Sequence, residues 1–174
     1  MNRTAERGSV SIEVAVLAPA FIALMVLAGV VGRTALAAEA IDAAAHDAAR
    51  AASISRSSST AETAALEAAR QQLDWHGLAC TNELAPTFSG TVGGETTTFD
   101  VAFRSAVGQN ATVTVEIICE VSFKDISLDI LPGMTSGKQI KSKFTSPLDR
   151  YRGRALGPGA VGVDSAPDAS AGGA

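Results

Sequence analysis

Nineteen consecutive residues without a charge, residues 14–32, are entered through a single carboxylate, Glu13. At 1.5 Å per residue a helix of that length nearly crosses a hydrocarbon core about 30 Å thick. The run therefore specifies a transmembrane helix. Glu13 has a simple structural reading, a charge parked at the headgroup boundary, where it also complements the positive end of the helix macrodipole. It has a functional reading too, because ionisable groups at membrane depth are costly and generally serve a purpose. Gly8 lies five residues earlier, behind a short basic leader, and that spacing favours the functional reading.

The leader carries Arg3, Arg7 and the amino terminus against Glu6, whereas Arg33 is followed by Glu39, Asp42 and Asp47. By the positive-inside bias the amino terminus stays cytoplasmic and the remainder is exported across the cytoplasmic (inner) membrane as a single-pass protein. A removable secretory signal is the competing reading, since Ala35-Leu36-Ala37 fits a small-x-small cleavage pattern. The apolar run is longer than an ordinary signal core, and Arg33 separates it from that pattern, so a retained anchor is favoured.

Helical spacing continues past Arg33 through Leu36, Ala37, Ala40, Ile41, Ala44, Ala48 and Ala51, with Glu39, Asp42, His46, Asp47 and Arg50 on other faces. An alanine-faced stalk to about residue 52 follows, giving one helix of about 60 Å, half in lipid and half outside. A serine-rich break at residues 53–60 leads to a second helix, with Thr60 as its N-cap and Gly77 as its end. Leu66, Leu73 and Trp75 are its only bulky anchors.

From Pro86 the period changes to two. Phe99, Val101 and Phe103 alternate with polar or small residues, as do Val113, Val115, Ile117, Cys119, Val121 and Phe123. These two segments are expected to form a hairpin around residues 106–110. A weaker strand over residues 139–146 turns Ile140 and Phe144 inward and Lys141 and Lys143 outward, as suits an exposed edge. An earlier strand over residues 87–92 would turn at Gly93-Gly94, and Leu131-Pro132-Gly133 reads as a further turn. After Arg154 the chain is Gly, Ala, Pro, Ser and Asp with few bulky groups, and a disordered tail is expected.

The predicted class is α+β: a long amino-terminal transmembrane helix extended as a stalk, a second helix, a small antiparallel sheet and a disordered carboxyl tail. The expected divisions are a leader at 1–8, the membrane helix at 9–33, the stalk at 34–56, an extracytoplasmic domain at 57–151 and the tail at 152–174. The apolar fraction of 47% is inflated by alanine, with only 5% aromatic residues, so the exported core is small. A net charge of −4 gives no electrostatic case for nucleic acid.

Both cysteines, Cys80 and Cys119, fall in the exported part. In an oxidising compartment such a pair forms a disulfide more often than a metal site, and two distant histidines, His46 and His76, supply no ligand set. No nucleophile with its base, phosphate loop or metal cluster is evident, so no catalytic residue, cofactor or metal is assigned.

Arg7-Gly8-Ser9, Ile12-Glu13, Ala15, Leu17, Pro19, Gly29, Gly32-Arg33 and the alanine-rich segment ending at Ala52 resemble the TadE-like family, the minor pilins or pseudopilins of tight-adherence (Flp-type) pilus systems. The resemblance covers roughly the first third of the chain. It implies cleavage after Gly8 by a prepilin peptidase, leaving Ser9 first, with Glu13 both a recognition residue and an assembly contact for the terminal amine of a neighbouring pilin-like subunit. Pilus assembly machinery and membrane lipid are the other partners it implies, and adhesion and secretion the associated processes. An uncleaved, membrane-anchored extracytoplasmic binding domain is the alternative from a different class.

Overall fold

A computed structural model of the chain describes residues 6–124 and 137–151, with side chains from residue 12 onward. Helix α1 (Glu6–Ile54) is a single α-helix that passes Pro19 without interruption. It is followed by α2 (Ser58–Trp75), β1 (Thr87–Val92), β2 (Glu95–Thr97), a short α3 (Phe99–Phe103), β3 (Ala111–Ser122) and β4 (Gly137–Pro147). The four strands form one antiparallel sheet in the order β2-β1-β3-β4. The α+β class expected from the sequence is the observed one. The turn expected at Leu131-Pro132-Gly133 and the tail at 152–174 lie outside the described residues.

From Ala37 to Ala52, α1 buries Ala37, Ala40, Ile41, Ala44, Ala45, Ala48, Ala49 and Ala52. Recurrence at three and four makes one wide face, broad enough to meet both α2 and the sheet. α2 answers with Ala61, Ala65, Ala69 and Leu73. Alanine facing alanine lets two helix backbones approach closely with no side-chain entropy to lose.

The sheet supplies the bulk that the helices lack. Along β3 burial alternates strictly from Ala111 to Cys119, so Val113, Val115, Ile117 and Cys119 all point at the helices. β3 is flanked on both sides over residues 112–116, by β1 and by β4, and pairs with β4 alone from there to Ser122. β4 is an edge strand, with Lys141 and Lys143 exposed as the sequence suggests. Its other face lies along α1. Ser142 Oγ donates to the Asp42 carboxylate at 2.7 Å, the Phe144 and His46 rings meet edge-on at 4.4 Å, and the Ser146 and Ser53 hydroxyls are 3.0 Å apart. Steps of four along a helix (about 6 Å) and two along a strand (about 6.6 Å) nearly match, so α1 and β4 run in the same direction in register over the first two of these contacts.

Three expectations are corrected. Residues 99–103 are helical, so β3 forms no hairpin with them; β1, with its turn at Gly93-Gly94, is the strand that precedes β3 in the sheet. Phe99, Ala102 and Phe103 are buried at helical spacing, and Thr98 caps the turn with its side chain accepting from the Val101 amide. The Phe99 ring lies 4.9 Å from Phe88 and 5.0 Å from Phe103, so the cluster is closed by a helix over β1. Gly90 permits that approach: a Cβ there would lie 2.5 Å from the Ala102 Cβ. Second, the N-cap of α2 is Ser57, whose hydroxyl accepts from the Thr60 amide, not Thr60 itself. Third, Trp75 does not anchor α2 to the core, because it is 84% exposed.

Candidate functional site

Among the described residues, α1 is the one helix long and apolar enough to cross a membrane. No side chain from Ile12 to Leu36 is buried. Val16, Phe21, Leu24 and Met25 are 71, 61, 61 and 74% exposed. Large apolar side chains left open in this way are unfavourable in water and favourable in lipid. The one hydroxyl near the end of this stretch is already satisfied, since Thr34 Oγ1 donates to the Val30 carbonyl at 2.7 Å. A Cβ placed on Gly29 or Gly32 would meet nothing within 4 Å beyond the helix's own adjacent backbone, so the small-residue surface they form is open.

Gly8 and Ser9 lie in the first turns of α1, and Ser9 stands four residues before Glu13, about one helical turn along the axis. Glu13 is exposed, flanked by Ile12 at 68% and Val14 at 61%. Its carboxylate thus projects from the helix at the boundary between a polar amino-terminal turn and an uncharged surface. The structure brings Gly8, Ser9 and Glu13 together only through the helix itself. A carboxylate exposed at this level is open to a group from outside the chain.

The second predicted constellation is formed. Cys80 and Cys119 are joined by a disulfide with Cα atoms 5.2 Å apart. Cys119 faces the core because it shares the parity of Val113, Val115 and Ile117 on β3. Cys80 reaches it because the chain leaving α2 runs beside the end of β3. The Thr81 amide donates to the Glu120 carbonyl at 2.9 Å, and the Asn82 side chain both donates to the Ile118 carbonyl at 3.0 Å and accepts from the Glu120 amide at 2.6 Å. Asn82 was not singled out from the sequence; an amide side chain two residues after a cysteine is the only local hint.

Residues 8–50 match the protein family described as TadE-like protein. The TadE-like segment begins at Gly8, takes in Glu13 and the whole exposed apolar surface, and ends at Arg50 within the alanine face that packs on α2 and the sheet. It therefore unites the two halves of α1 and leaves α2 and the strands outside the match. No curated protein and no solved structure matches the chain. Among the described residues no group of three or more potential metal-ligating side chains comes together.

Proposed function

We propose that the chain is a minor pilin-like or pseudopilin subunit acting in assembly of a tight-adherence (Flp-type) pilus. It is cut after Gly8 by a prepilin peptidase and held in the cytoplasmic membrane with its sheet domain on the far side. The observation that carries this reading is the construction of the TadE-like segment. Gly8 and Glu13 stand five residues apart at the mouth of a helix whose residues 14–36 are all unburied and largely apolar, and whose remainder is locked into a folded domain.

Each part has a physical role in this proposal. Cleavage after Gly8 creates an amine at Ser9, one turn from Glu13. In a low-dielectric setting an amine and a carboxylate from adjacent subunits gain from pairing, and either one alone is costly. The alternating demand to satisfy both charges favours subunits staggered by about one turn. The disulfide supports an exported domain, because such bonds persist in oxidising compartments.

Intact-mass measurement of the chain extracted from membranes tests the processing step: the expected mature form begins at Ser9. Glu13→Ala is expected to abolish leader removal or fibre assembly. Unchanged mass and unchanged fibres in that variant would instead favour an uncleaved, membrane-anchored binding domain.

A further inference from the structure

Trp75, the single tryptophan of the chain, is 84% exposed in the last turn of α2. Its exposure is fixed by the helix end. Gly77 adopts φ +63°, its amide donates to the Asp74 carbonyl at 3.0 Å, and the Leu78 amide donates to the Leu73 carbonyl at 2.9 Å. This pair of bonds is a Schellman closure, which folds Leu78 back against the core beside Leu73. Trp75 lies two residues beyond buried Leu73, on the opposite side of the helix, and cannot turn inward without breaking that closure.

The level of Trp75 along α1 is equally well defined. α2 doubles back antiparallel to α1 after a three-residue connection, and its 18 residues rise about 27 Å. That length of α1, counted back from Ile54, ends near Leu36. The contact is direct: a cleft of about 240 Å³ is lined by Arg33, Leu36 and Glu39 from α1 and by His76, Gly77 and Leu78 from the end of α2. The uncharged run ends at Gly32, Arg33 is the first charge after it, and Leu36 beyond is still 69% exposed. Trp75 therefore stands where the apolar span gives way to polar surface.

We propose that this end of the domain, Trp75 together with Arg33 and Leu36, seats on the headgroup layer of the bilayer that α1 crosses. The inference rests on the reading of residues 14–32 as a membrane span and adds a second, lateral attachment to it. Indole is favoured at this depth because its ring is apolar and its N–H can still reach water or a lipid carbonyl. An arginine at the same level keeps its stem in the apolar zone and its head among phosphates. Two attachments on different helices would fix the tilt of the sheet domain against the membrane, which a lone helix emerging from lipid cannot do.

Because the protein has one tryptophan, its fluorescence reports the site without labels. The full-length chain is reconstituted into phosphatidylethanolamine–phosphatidylglycerol vesicles, with flotation as the measure of anchoring. Trp75 is expected to be quenched by lipids brominated near the headgroup and to be severalfold less accessible to aqueous iodide than in Trp75→Phe/Val101→Trp. That variant carries its probe on α3, which meets the far end of α2 through the 2.8 Å Ser58–Asp100 bond. A chain that floats but leaves Trp75 open to iodide overturns the proposal while the anchor stands. Shielding from iodide without quenching by brominated lipid overturns it in favour of a protein neighbour over Trp75. A chain that fails to float overturns both the seat and the span on which it rests.

Discussion

Between Ile12 and Leu36, α1 carries leucine, valine, phenylalanine and methionine, and none of them is buried; from Ala37 alanine dominates and eight positions through Ala52 are buried. In a water-soluble domain the order would be reversed, with the bulky residues inside. The bulky residues on the first half of α1 gain by transfer into lipid, which needs no shape complementarity from the rest of the chain. The alanines on the second half gain almost nothing from transfer. They instead set the distance at which α2 and the sheet can approach, while β3 and the Phe88–Phe99–Phe103 cluster supply the apolar bulk. The helix runs on through Pro19 as one element, yet its two halves offer opposite surfaces to their surroundings.

The largest expected separation of the two halves comes from the disulfide. A loop with a sequence separation of 39 constrains the unfolded chain by about 4 kcal/mol in the entropy model. Cys80→Ala/Cys119→Ala is expected to lower the denaturant midpoint of the sheet domain by that order and to leave membrane retention unchanged. Joint loss of both would break the division. The reciprocal change is Met25→Arg, at an open position in the middle of the run. A charge there costs about 3 kcal/mol of insertion, so carbonate extraction should release the variant, with the unfolding midpoint of the domain unmoved.

The two halves were not equally legible. The apolar span and β3 could be read directly, since each repeats one rule, absence of charge in one and strict alternation in the other, for many residues. Five residues carry too little period to decide: Phe99, Val101 and Phe103 alternate, yet Phe99, Ala102 and Phe103 also fit a helix. The deciding signal was Thr98 before Asp100, a cap followed by an acid in the first turn. Trp75 failed for a related reason. Leu73 and Trp75 are two apart, about 200° around a helix, so both cannot face one core. The pairing of Cys119 was legible by parity along β3. The position of Cys80 was not, because it depends on hydrogen bonds made by Thr81 and Asn82 in a segment with no periodicity. Glu13 was conspicuous in sequence, and it lies on an open helix face.

A third change exchanges the rules of the halves. Ala48 is fully buried, whereas Leu27 is 56% exposed. Ala48→Leu forces a larger side chain into a close helix contact and is expected to destabilise the domain by about 2 kcal/mol. Leu27→Ala, which removes apolar surface from the open half, is expected to leave the unfolding midpoint of the domain unchanged. Denaturant curves on the two variants in the same detergent compare them directly. Equal destabilisation would mean that the first half of α1 packs against the domain after all.

The smallest effect lies at the joint that lets α2 return along α1. The sequence pointed to Thr60 as the cap of α2, but it is Ser57 that occupies the extended N-cap position, with φ −130° and ψ 154°. Its hydroxyl accepts from the Thr60 amide at 3.3 Å and lies 2.7 Å from the Thr60 hydroxyl, which in turn donates back to the Ser57 carbonyl at 3.0 Å. Ser57→Ala leaves an amide of the first turn without its partner and is expected to cost about 1 kcal/mol. Thr60→Ala removes a side chain that stands inside the helix, where alanine is the better helix former, and propensity offsets part of the lost bond. Ser57→Ala should therefore destabilise the domain more than Thr60→Ala in parallel denaturant melts. The opposite ranking would shift the start of α2 by a turn and displace its far end, Trp75 included, from the level at which residues 14–32 end.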